Sequence, residues 1–172
     1  MEEKGIFQLL DSLQELENKK IKYEAKIAGN IDASLKEIIL DKIDKLKNTS
    51  YIGVVYNDDK KQLLNWSNTF VLPTFYKMEG QPISILEALA TKNVIISTKH
   101  AGIIDIIENN KNGFLVDKEN SKSITNKFVF LNDNKSKILE ISNYNKMYFA
   151  ENFTITTFSE QFIKILKLNA KT

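Results

Sequence analysis

Two glutamates, Glu79 and Glu87, stand eight positions apart in the segment EGQPISILEALA. The segment predicts a helix that starts at Pro82, because the N–H group that proline lacks has no acceptor in a first turn anyway. Glu87 then lies one turn inside the helix, where its carboxylate can accept two hydrogen bonds from a vicinal diol such as a ribose. On spacing alone, both glutamates could equally well mark an ordinary helix start and a solvated helix face.

The predicted start of this helix is also a potential anion site. The N–H groups of Ile83 and Ser84 lack intrahelical acceptors, and they lie at the positive end of the helix dipole. Gly80 allows the backbone to approach a ligand without a Cβ atom in the way. Glu79, in the preceding loop, would face the same mouth.

The composition of the 172-residue chain is that of a soluble globular protein, with 42% hydrophobic and 27% charged residues. Its net charge of +2 is too small to predict nucleic acid or an anionic membrane as a partner. All 24 basic residues are lysines, so a phosphate would be held by ammonium groups, backbone N–H groups and helix ends. The absence of cysteine and the single histidine exclude disulfides and Cys-rich or His-rich metal sites.

Hydrophobic periodicity predicts helices that alternate with short strands. The predicted strands are 22–30, 49–55, 69–73, 93–98 and 114–116. The predicted helices are 4–19, 31–47, 58–67, one from Pro82, 100–110, and helices from residue 120 to the end. The runs at 69–73 and 93–98 are apolar without alternation, which is typical of strands covered on both faces of a parallel sheet. The order predicts an α/β, Rossmann-like three-layer domain with a central parallel sheet and C-terminal helices. Because the sequence opens on a helix and not on a strand, we expect an element to be missing upstream.

The stretch from residue 71 to residue 120 resembles the nucleotide-sugar-binding signature of glycosyltransferase family 4. The motifs that carry the resemblance are LPT, EGQP, the Glu79–Glu87 pair, EALATKNVII, AGIIDII and NGFLV. Upstream, EKG, KIAGN, YIGVV and LLNWSNTFVLP resemble further family motifs. The resemblance spans nearly the whole chain, and it implies one half of a GT-B fold and transfer with retention of configuration.

The resemblance also implies a role for individual residues. Lys4 would contact the donor pyrophosphate, Glu79 would bind sugar hydroxyls close to the reacting anomeric centre, and Glu87 would hold the ribose hydroxyls. The residues implied to line the sugar and the diphosphate are Gly80, Gln81, Pro82, Ile83 and Ser84. Those implied to border the base pocket are Gly29, Asn30, Tyr51, Ile52, Gly53 and Val54. No metal and no other cofactor is implied, because basic side chains and a helix end would neutralise the leaving diphosphate.

The sequence departs from the family pattern in several places. Residues 1–172 resemble a single domain, the C-terminal donor-binding half, without the N-terminal acceptor domain, the first strand and its arginine. Lys92 and Asn93 replace a Gly-x-Pro region at a position that resembles a surface turn. Asp105 stands where the family has a glutamate, and it keeps the charge.

The function implied by the resemblance is transfer of a hexose or N-acetylhexosamine from a UDP-sugar to a glycan or lipid-linked acceptor. The setting would be bacterial surface polysaccharide synthesis, such as O-antigen, lipopolysaccharide or capsule. We expect a cytoplasmic location, with peripheral association at the inner face of the membrane through the missing half. The isolated chain should bind nucleotide weakly and transfer nothing. The alternative is a non-catalytic nucleotide-sugar-binding subunit that docks to a separate acceptor-domain chain.

Other residues that could take part in binding or catalysis are interpreted as loop, core or solvent-exposed residues. His100 is the only imidazole, and its polar surroundings predict an unspecialised loop residue. The residues predicted to pack in the core are Trp66, Phe70 and Phe75. Lys60 and Lys61 are predicted to form a solvated helix face.

Overall fold

The computed structural model describes residues 2–169, with side chains to residue 167. The strands are β1 (Ala25–Ala28), β2 (Thr49–Gly53), β3 (Thr69–Leu72), β4 (Val94–Thr98) and β5 (Gly113–Val116). The first helices are α1 (Ile6–Asn18), α2 (Lys36–Asp44), α3 (Asn57–Trp66) and α4 (Ile83–Ala90). The last three are α5 (Ser121–Asp133), α6 (Lys135–Asn152) and α7 (Ile155–Asn169). Short 3-10 turns occupy Glu2–Lys4, Ala33–Leu35 and Ala101–Asp105.

All described strand pairs are parallel, but they form two sheets instead of one. β1 pairs with β2, with Ala25 opposite Thr49. β3, β4 and β5 form the second sheet in that order. The prediction of an α/β domain with parallel strands and C-terminal helices is therefore confirmed. The single central sheet is divided, because within residues 2–169 the strands β1 and β3 each have a partner on one side only.

Strand β4 is the centre of the core. All five of its residues are buried. Val94 and Ile96 pack in a cluster with Ile124 of α5, whereas Ile95 packs in another with Ile85 of α4. Helices therefore cover both faces of this sheet, as the uninterrupted apolar run predicts.

Strand β3 differs from β4, although its sequence predicts the same double coverage. Its four residues, Thr69–Leu72, are all only partly buried. Since one edge of β3 has no partner strand among the described residues, its side chains remain open to the space beside that edge. Phe70 and Leu72 nevertheless pack against the cluster that contains Ile85, and Val71 packs against the cluster that contains Ile124, so the prediction that both faces of this strand are covered is confirmed.

Helix α1 connects the two sheets. Leu10, Leu13 and Leu16 pack with residues of α2 in the core beside β1 and β2. On its other side α1 packs along α5, and Ser12 lies 3.2 Å from Thr125 between the two hydroxyl oxygens. The small sheet is therefore attached to the large one mainly through helices.

A buried amide network holds α6 to the large sheet. Asn145 Nδ2 donates to the carbonyl oxygens of Asn93 and Asn112, at 2.7 and 2.9 Å. Asn93 is itself fully buried, and its side chain donates to Leu64 O at 2.8 Å. The interpretation of Lys92–Asn93 as a surface turn is wrong for Asn93, because its amide satisfies backbone groups inside the core.

Two predicted helices are shorter in the structure. The predicted helix 31–47 becomes a 3-10 turn followed by α2, and the predicted helix 100–110 is only the turn Ala101–Asp105. Asn112 explains why the second of these helices ends early. Its side chain accepts from Glu108 N and donates to Ile106 O, both at 2.8 Å. Side-chain bonds of this kind compete with helical ones. No helix in the described range combines the length and apolar character needed to cross a membrane.

Candidate functional site

The first turn of the chain meets the loop after β3 at Glu79. Lys4 Nζ lies 2.6 Å from Glu79 Oε2, and Thr74 Oγ1 lies 2.9 Å from the same oxygen. Only 9% of the Glu79 side chain is exposed, against 36% for Lys4. The structure therefore joins two of the predicted site residues in an ion pair, although 75 positions separate them in the sequence.

Backbone contacts hold Lys4 at this place. Gly5 has φ of +80°, and a Cβ atom built on it would lie 2.3 Å from the carbonyl oxygen of Pro73. Phe75 N donates to Glu3 O at 2.8 Å. The turn that carries Lys4 is thus packed against the carboxyl end of β3, where ligands bind in open α/β sheets.

His100 fixes the loop that carries Glu79. Tyr76 O accepts from Glu79 N at 3.0 Å, and His100 Nε2 lies 2.7 Å from the same carbonyl oxygen. Nε2 is therefore the protonated nitrogen of the imidazole in this contact. The interpretation of His100 as an unspecialised loop residue is wrong, and its position two residues after β4 was the only available signal.

The turn after β4, which carries His100, makes a second contact with the Glu79 loop, and this contact is made by the backbone at Gly102. A Cβ atom on Gly102 would lie 3.0 Å from Gly80 O and 3.3 Å from Gln81 N. The turn after β4 consequently packs directly on the Gly80–Gln81 backbone. Ala101, the residue before Gly102, has φ of +45°. Residues other than glycine seldom adopt this conformation.

We expect His100→Ala to loosen the Glu79 loop. A hydrogen bond of this type contributes about 1 kcal/mol, so the Glu79 amide should exchange about fivefold faster with solvent deuterium. Lys99→Ala is the matched control, because Lys99 is exposed and adjacent. Equal Glu79 exchange rates in the two variants would show that His100 does not hold the loop.

The start of α4 has nearly the predicted geometry. Pro82 is buried and extended, with φ of −65° and ψ of 115°, and it occupies the N-cap position immediately before the helix. The helix therefore begins at Ile83, one residue later than predicted. Ile85 N donates to Pro82 O at 3.0 Å, whereas the N–H groups of Ile83 and Ser84 precede the first intrahelical bonds.

Glu87 also forms an ion pair. Lys60 Nζ lies 2.5 Å from Glu87 Oε1, and the two side chains are 40% and 32% exposed. The prediction that Lys60 belongs to a solvated helix face is incomplete, because its side chain is partly exposed and also pairs with Glu87 of α4. Its neighbour Lys61 is exposed, as predicted. Nothing in the spacing of Lys60 and Glu87 indicates their contact.

The ends of β1 and β2 are held together on the other side of the cleft. Tyr51 Oη donates to Gly29 O at 2.8 Å, and Gly29 N donates to Gly53 O at 2.8 Å. Gly29 and Gly53 have φ of +134° and +76°, which glycine adopts readily. The two segments predicted to border a base pocket are thus neighbours.

One cavity of ≈ 1480 Å³ connects most of these groups. The predicted site residues that line it are Lys4, Gly29, Asn30, Tyr51, Val54, Glu79, Gln81, Pro82, Ile83, Ser84 and Glu87. Gly80, Ile52 and Gly53 are not among the lining residues. Lys60 lines the cavity and was missed by the sequence analysis.

The three aromatic residues assigned to the core have different environments. Trp66 is 43% exposed, lines the cavity, and carries Lys26 Nζ at 4.0 Å from its ring centroid. The core prediction is therefore wrong for Trp66. Phe70 packs against the α4 core while also lining the cavity, and Phe75 is half-buried.

Among the charged residues that line the cavity, Lys4 and Lys60 are each paired with one glutamate, and both pairs lie beside a helix start. Within residues 2–169 no group of three His, Cys, Asp or Glu side chains is close enough to hold a metal ion. The helix start and the two ammonium groups suit an anion. The two carboxylates suit hydroxyl groups, which donate to them.

Comparison with known proteins adds to this picture. The profile of a family described as glycosyl transferases group 1 matches residues 1–148. The chain is 25% identical over 146 residues to the amylovoran biosynthesis glycosyltransferase AmsK of Erwinia amylovora, covering 81% of this chain and 36% of that protein. It is 28% identical over 139 residues to the capsular polysaccharide biosynthesis glycosyltransferase CapM of Staphylococcus aureus, covering 79% and 35%. The chain thus spans about a third of the length of these relatives.

Solved structures share the fold. The C-terminal domain of the group 1 glycosyl transferase LpcC from Francisella tularensis has a TM-score of 0.77 and 21% identity, covering 90% of this chain and 82% of that one. Anabaena HepE, solved in complex with UDP-glucose, has a TM-score of 0.84 and 18% identity, covering 97% and 46%. At these identities the likeness establishes the arrangement of strands and helices, that of a C-terminal GT-B domain.

Proposed function

The chain belongs to the group 1 glycosyl transferases, and from that membership we propose that it is the donor-binding half of a retaining GT-B glycosyltransferase. Residues 1–172 are proposed to form this half as one domain. The supporting observation is the cavity that joins the Lys4–Glu79 pair, the start of α4 and Glu87. The family membership and this arrangement together favour a nucleotide-sugar.

The donor occupies the cavity with its parts in a definite order. Its ribose hydroxyls donate to Glu87, and its diphosphate lies at the N–H groups of Ile83 and Ser84, near Lys4. The sugar lies at Glu79, where the carboxylate accepts from its hydroxyl groups. The base lies between the ends of β1 and β2. Each group is thus bound by the partner that its charge or hydrogen-bonding capacity requires.

We propose UDP as the nucleotide of the donor. HepE was solved in complexes with UDP and with UDP-glucose, and its fold covers 97% of this chain. The relatives AmsK and CapM are named as glycosyltransferases of amylovoran biosynthesis and of capsular polysaccharide biosynthesis. The full protein accordingly transfers a hexose or N-acetylhexosamine to a glycan or lipid-linked acceptor for such a polysaccharide, whether O-antigen, lipopolysaccharide or capsule. It acts in the cytoplasm, at the inner face of the membrane.

Reaction requires the acceptor half. The acceptor hydroxyl attacks the anomeric carbon between the two halves, so the 172-residue chain alone should bind donor and transfer no sugar. The measurement is transfer from radiolabelled UDP-sugars to lipid-linked and glycan acceptors. Transfer by the purified chain would contradict the assignment as a half-site.

Donor binding is proposed to be independent of metal, with lysines and the helix start neutralising the diphosphate. We expect the dissociation constant for UDP to change less than about twofold between EDTA and millimolar Mg²⁺. If Mg²⁺ instead lowered the dissociation constant tenfold, which corresponds to about 1.4 kcal/mol, a bound cation would be what neutralises the diphosphate.

A further inference from the structure

Thr74, the second residue after β3, carries a hydroxyl group that is closed to the cavity. The residue is fully buried, and it is not among those that line the cavity. Its Oγ1 atom lies 2.9 Å from Oε2 of Glu79, whose side chain is 9% exposed and belongs to a residue that does line the cavity. Thr74 therefore contacts the carboxylate that is proposed to bind the sugar, but it cannot contact the sugar itself.

The hydroxyl of Thr74 has a single proton, which can be given to one of two acceptors. Tyr76 N donates to the hydroxyl oxygen at 3.3 Å, so the oxygen already acts as an acceptor on that side. Glu3 O lies at 3.2 Å and accepts from Phe75 N at 2.8 Å as well. Glu79 Oε2 is nearer, at 2.9 Å, and hydrogen bonds to ionised acceptors are stronger than those between neutral groups. The proton therefore goes to Glu79.

The backbone of Thr74 is held by side chains at the end of β4. Ser97 Oγ donates to Leu72 O at 2.6 Å, and the hydroxyl of Thr98 donates to Thr74 O. Ser97 and Thr98 are both fully buried. Beyond Leu72, where Pro73 lacks the N–H group that a strand ladder uses, these side-chain bonds continue the contact between β3 and β4. The position of the Thr74 hydroxyl is thus set by the sheet.

The described hydrogen bonds of the Glu79 carboxylate both fall on one oxygen. Lys4 Nζ and Thr74 Oγ1 lie 2.6 and 2.9 Å from Oε2. Lys4 is 36% exposed and lines the cavity, so a diphosphate can attract its ammonium group, which has three protons to donate. Thr74 is out of reach of any ligand, so its bond to Oε2 persists when the cavity is filled. Oε1 is then the oxygen that accepts from ligand hydroxyl groups.

We propose that Thr74 is a positioning residue for recognition of the donor sugar. Its hydroxyl holds Oε2 of Glu79 and thereby sets the orientation in which Oε1 meets the hydroxyl groups of the sugar. Glu79 touches the sugar, and Thr74 acts only through Glu79. This inference deepens the proposed function, on which it rests for the presence of a sugar at Glu79.

Orientation of Glu79 before binding affects the sugar and not the nucleotide. A carboxylate that is already ordered loses little rotamer freedom when a ligand hydroxyl binds to it. Without the Thr74 hydroxyl, part of that ordering must take place when the sugar binds. The affinity that is lost therefore belongs to the sugar part of the ligand, since the ribose and the base are bound elsewhere in the cavity.

The test compares three variants of the full 172-residue chain. Thr74→Val removes the hydroxyl and keeps the shape of the side chain, whereas Thr74→Ser keeps the hydroxyl. Thr125→Val is the matched control, because Thr125 is also buried and donates to Ser121 O at 3.0 Å, but it does not line the cavity. UDP-glucose, UDP-galactose and UDP-N-acetylglucosamine are titrated beside UDP, and the UDP-sugar that the parent chain binds most tightly is used for the comparison.

In Thr74→Val the affinity for the UDP-sugar should fall about fivefold, whereas the affinity for UDP should change less than about twofold. Thr74→Ser and Thr125→Val should keep both affinities within about twofold of the parent values. In a chain that already carries Glu79→Ala, adding Thr74→Val should have no further effect on the UDP-sugar. An unchanged UDP-sugar affinity in Thr74→Val, an equal loss for UDP, or the same loss in the Glu79→Ala chain would overturn the proposal.

The Glu79 carboxylate is also observed without ligand, through chains in which the glutamate Cδ atoms are labelled with ¹³C. The Glu79 resonance, assigned by its absence in Glu79→Ala, should shift in Thr74→Val and keep its parent position in Thr74→Ser and Thr125→Val. These shifts without any UDP binding would overturn the proposed function and leave the contact between Thr74 and Glu79 supported. UDP binding with the Glu79 resonance unchanged in Thr74→Val would overturn the role of Thr74 and leave the proposed function standing.

Discussion

Replacing Glu87 by alanine is expected to weaken UDP binding by about 10- to 150-fold. The proposed contact is a pair of hydrogen bonds from the ribose hydroxyls to an ionised carboxylate, and such bonds contribute about 1.5–3 kcal/mol. Lys60, which pairs with Glu87 at 2.5 Å, is 40% exposed, so water can solvate its ammonium group in the variant. Titration followed by amide chemical shifts measures the dissociation constant of the unsubstituted chain and sets a lower limit on that of the variant.

Two comparisons isolate the ribose contact. The 2′-deoxy analogue of UDP should bind the unsubstituted chain more weakly than UDP does. In Glu87→Ala the two nucleotides should bind with equal affinity, because the carboxylate that accepts from the 2′-hydroxyl is gone. Glu108→Ala is the matched control: it removes an exposed glutamate paired with Lys111 at 2.8 Å that does not line the cavity. Unchanged UDP affinity in Glu87→Ala would refute the ribose assignment.

Gly5→Ala is expected to lower the free energy of unfolding by about 3 kcal/mol. Glycine alone adopts φ of +80° readily, and the strain for other residues is about 1–3 kcal/mol. The new Cβ would also lie 2.3 Å from Pro73 O, so the turn must move, which adds about 1–3 kcal/mol. Because that turn carries Lys4, the variant should also lose the Lys4–Glu79 ion pair.

Urea unfolding measures the effect, and Gly80→Ala is its matched control. A Cβ atom on Gly80 meets nothing within 4 Å, and its φ lies outside the left-handed region, so that variant should remain within about 0.5 kcal/mol of the parent. A loss below about 1 kcal/mol in Gly5→Ala would mean that the turn before α1 adjusts freely.

Hydrophobic periodicity predicted those helices and strands whose residue types are determined by which of their faces are buried. The uninterrupted apolar run of β4 and the helical spacing of α1 each identify their element, because burial on both faces or on one stripe dictates residue type. The same reasoning predicted that both faces of β3 are covered, but it did not predict that its four residues are only partly buried. Whether a strand is covered depends on its neighbour in the sheet, and no feature of Thr69–Leu72 encodes the open edge beside it.

The candidate site was predicted through family resemblance more than through spacing. The resemblance named Lys4 and Glu79 separately, but their contact at 2.6 Å depends on how α1 returns to β3. The contacts of His100 and Lys60 were missed for a similar reason, since each is made with a residue more than twenty positions away. Such contacts arise from tertiary packing, which a single sequence does not display.

The central claim is that the cavity binds UDP between the Gly29 turn and the start of α4. The most direct test is titration of the unmodified 172-residue chain with UDP, observed through the backbone amide resonances. We predict saturable shifts at Gly29, Ile83 and Ser84 in the millimolar range, and smaller shifts with ADP at the same concentrations. Unchanged resonances at these residues, or identical shifts with UDP and ADP, would contradict the account.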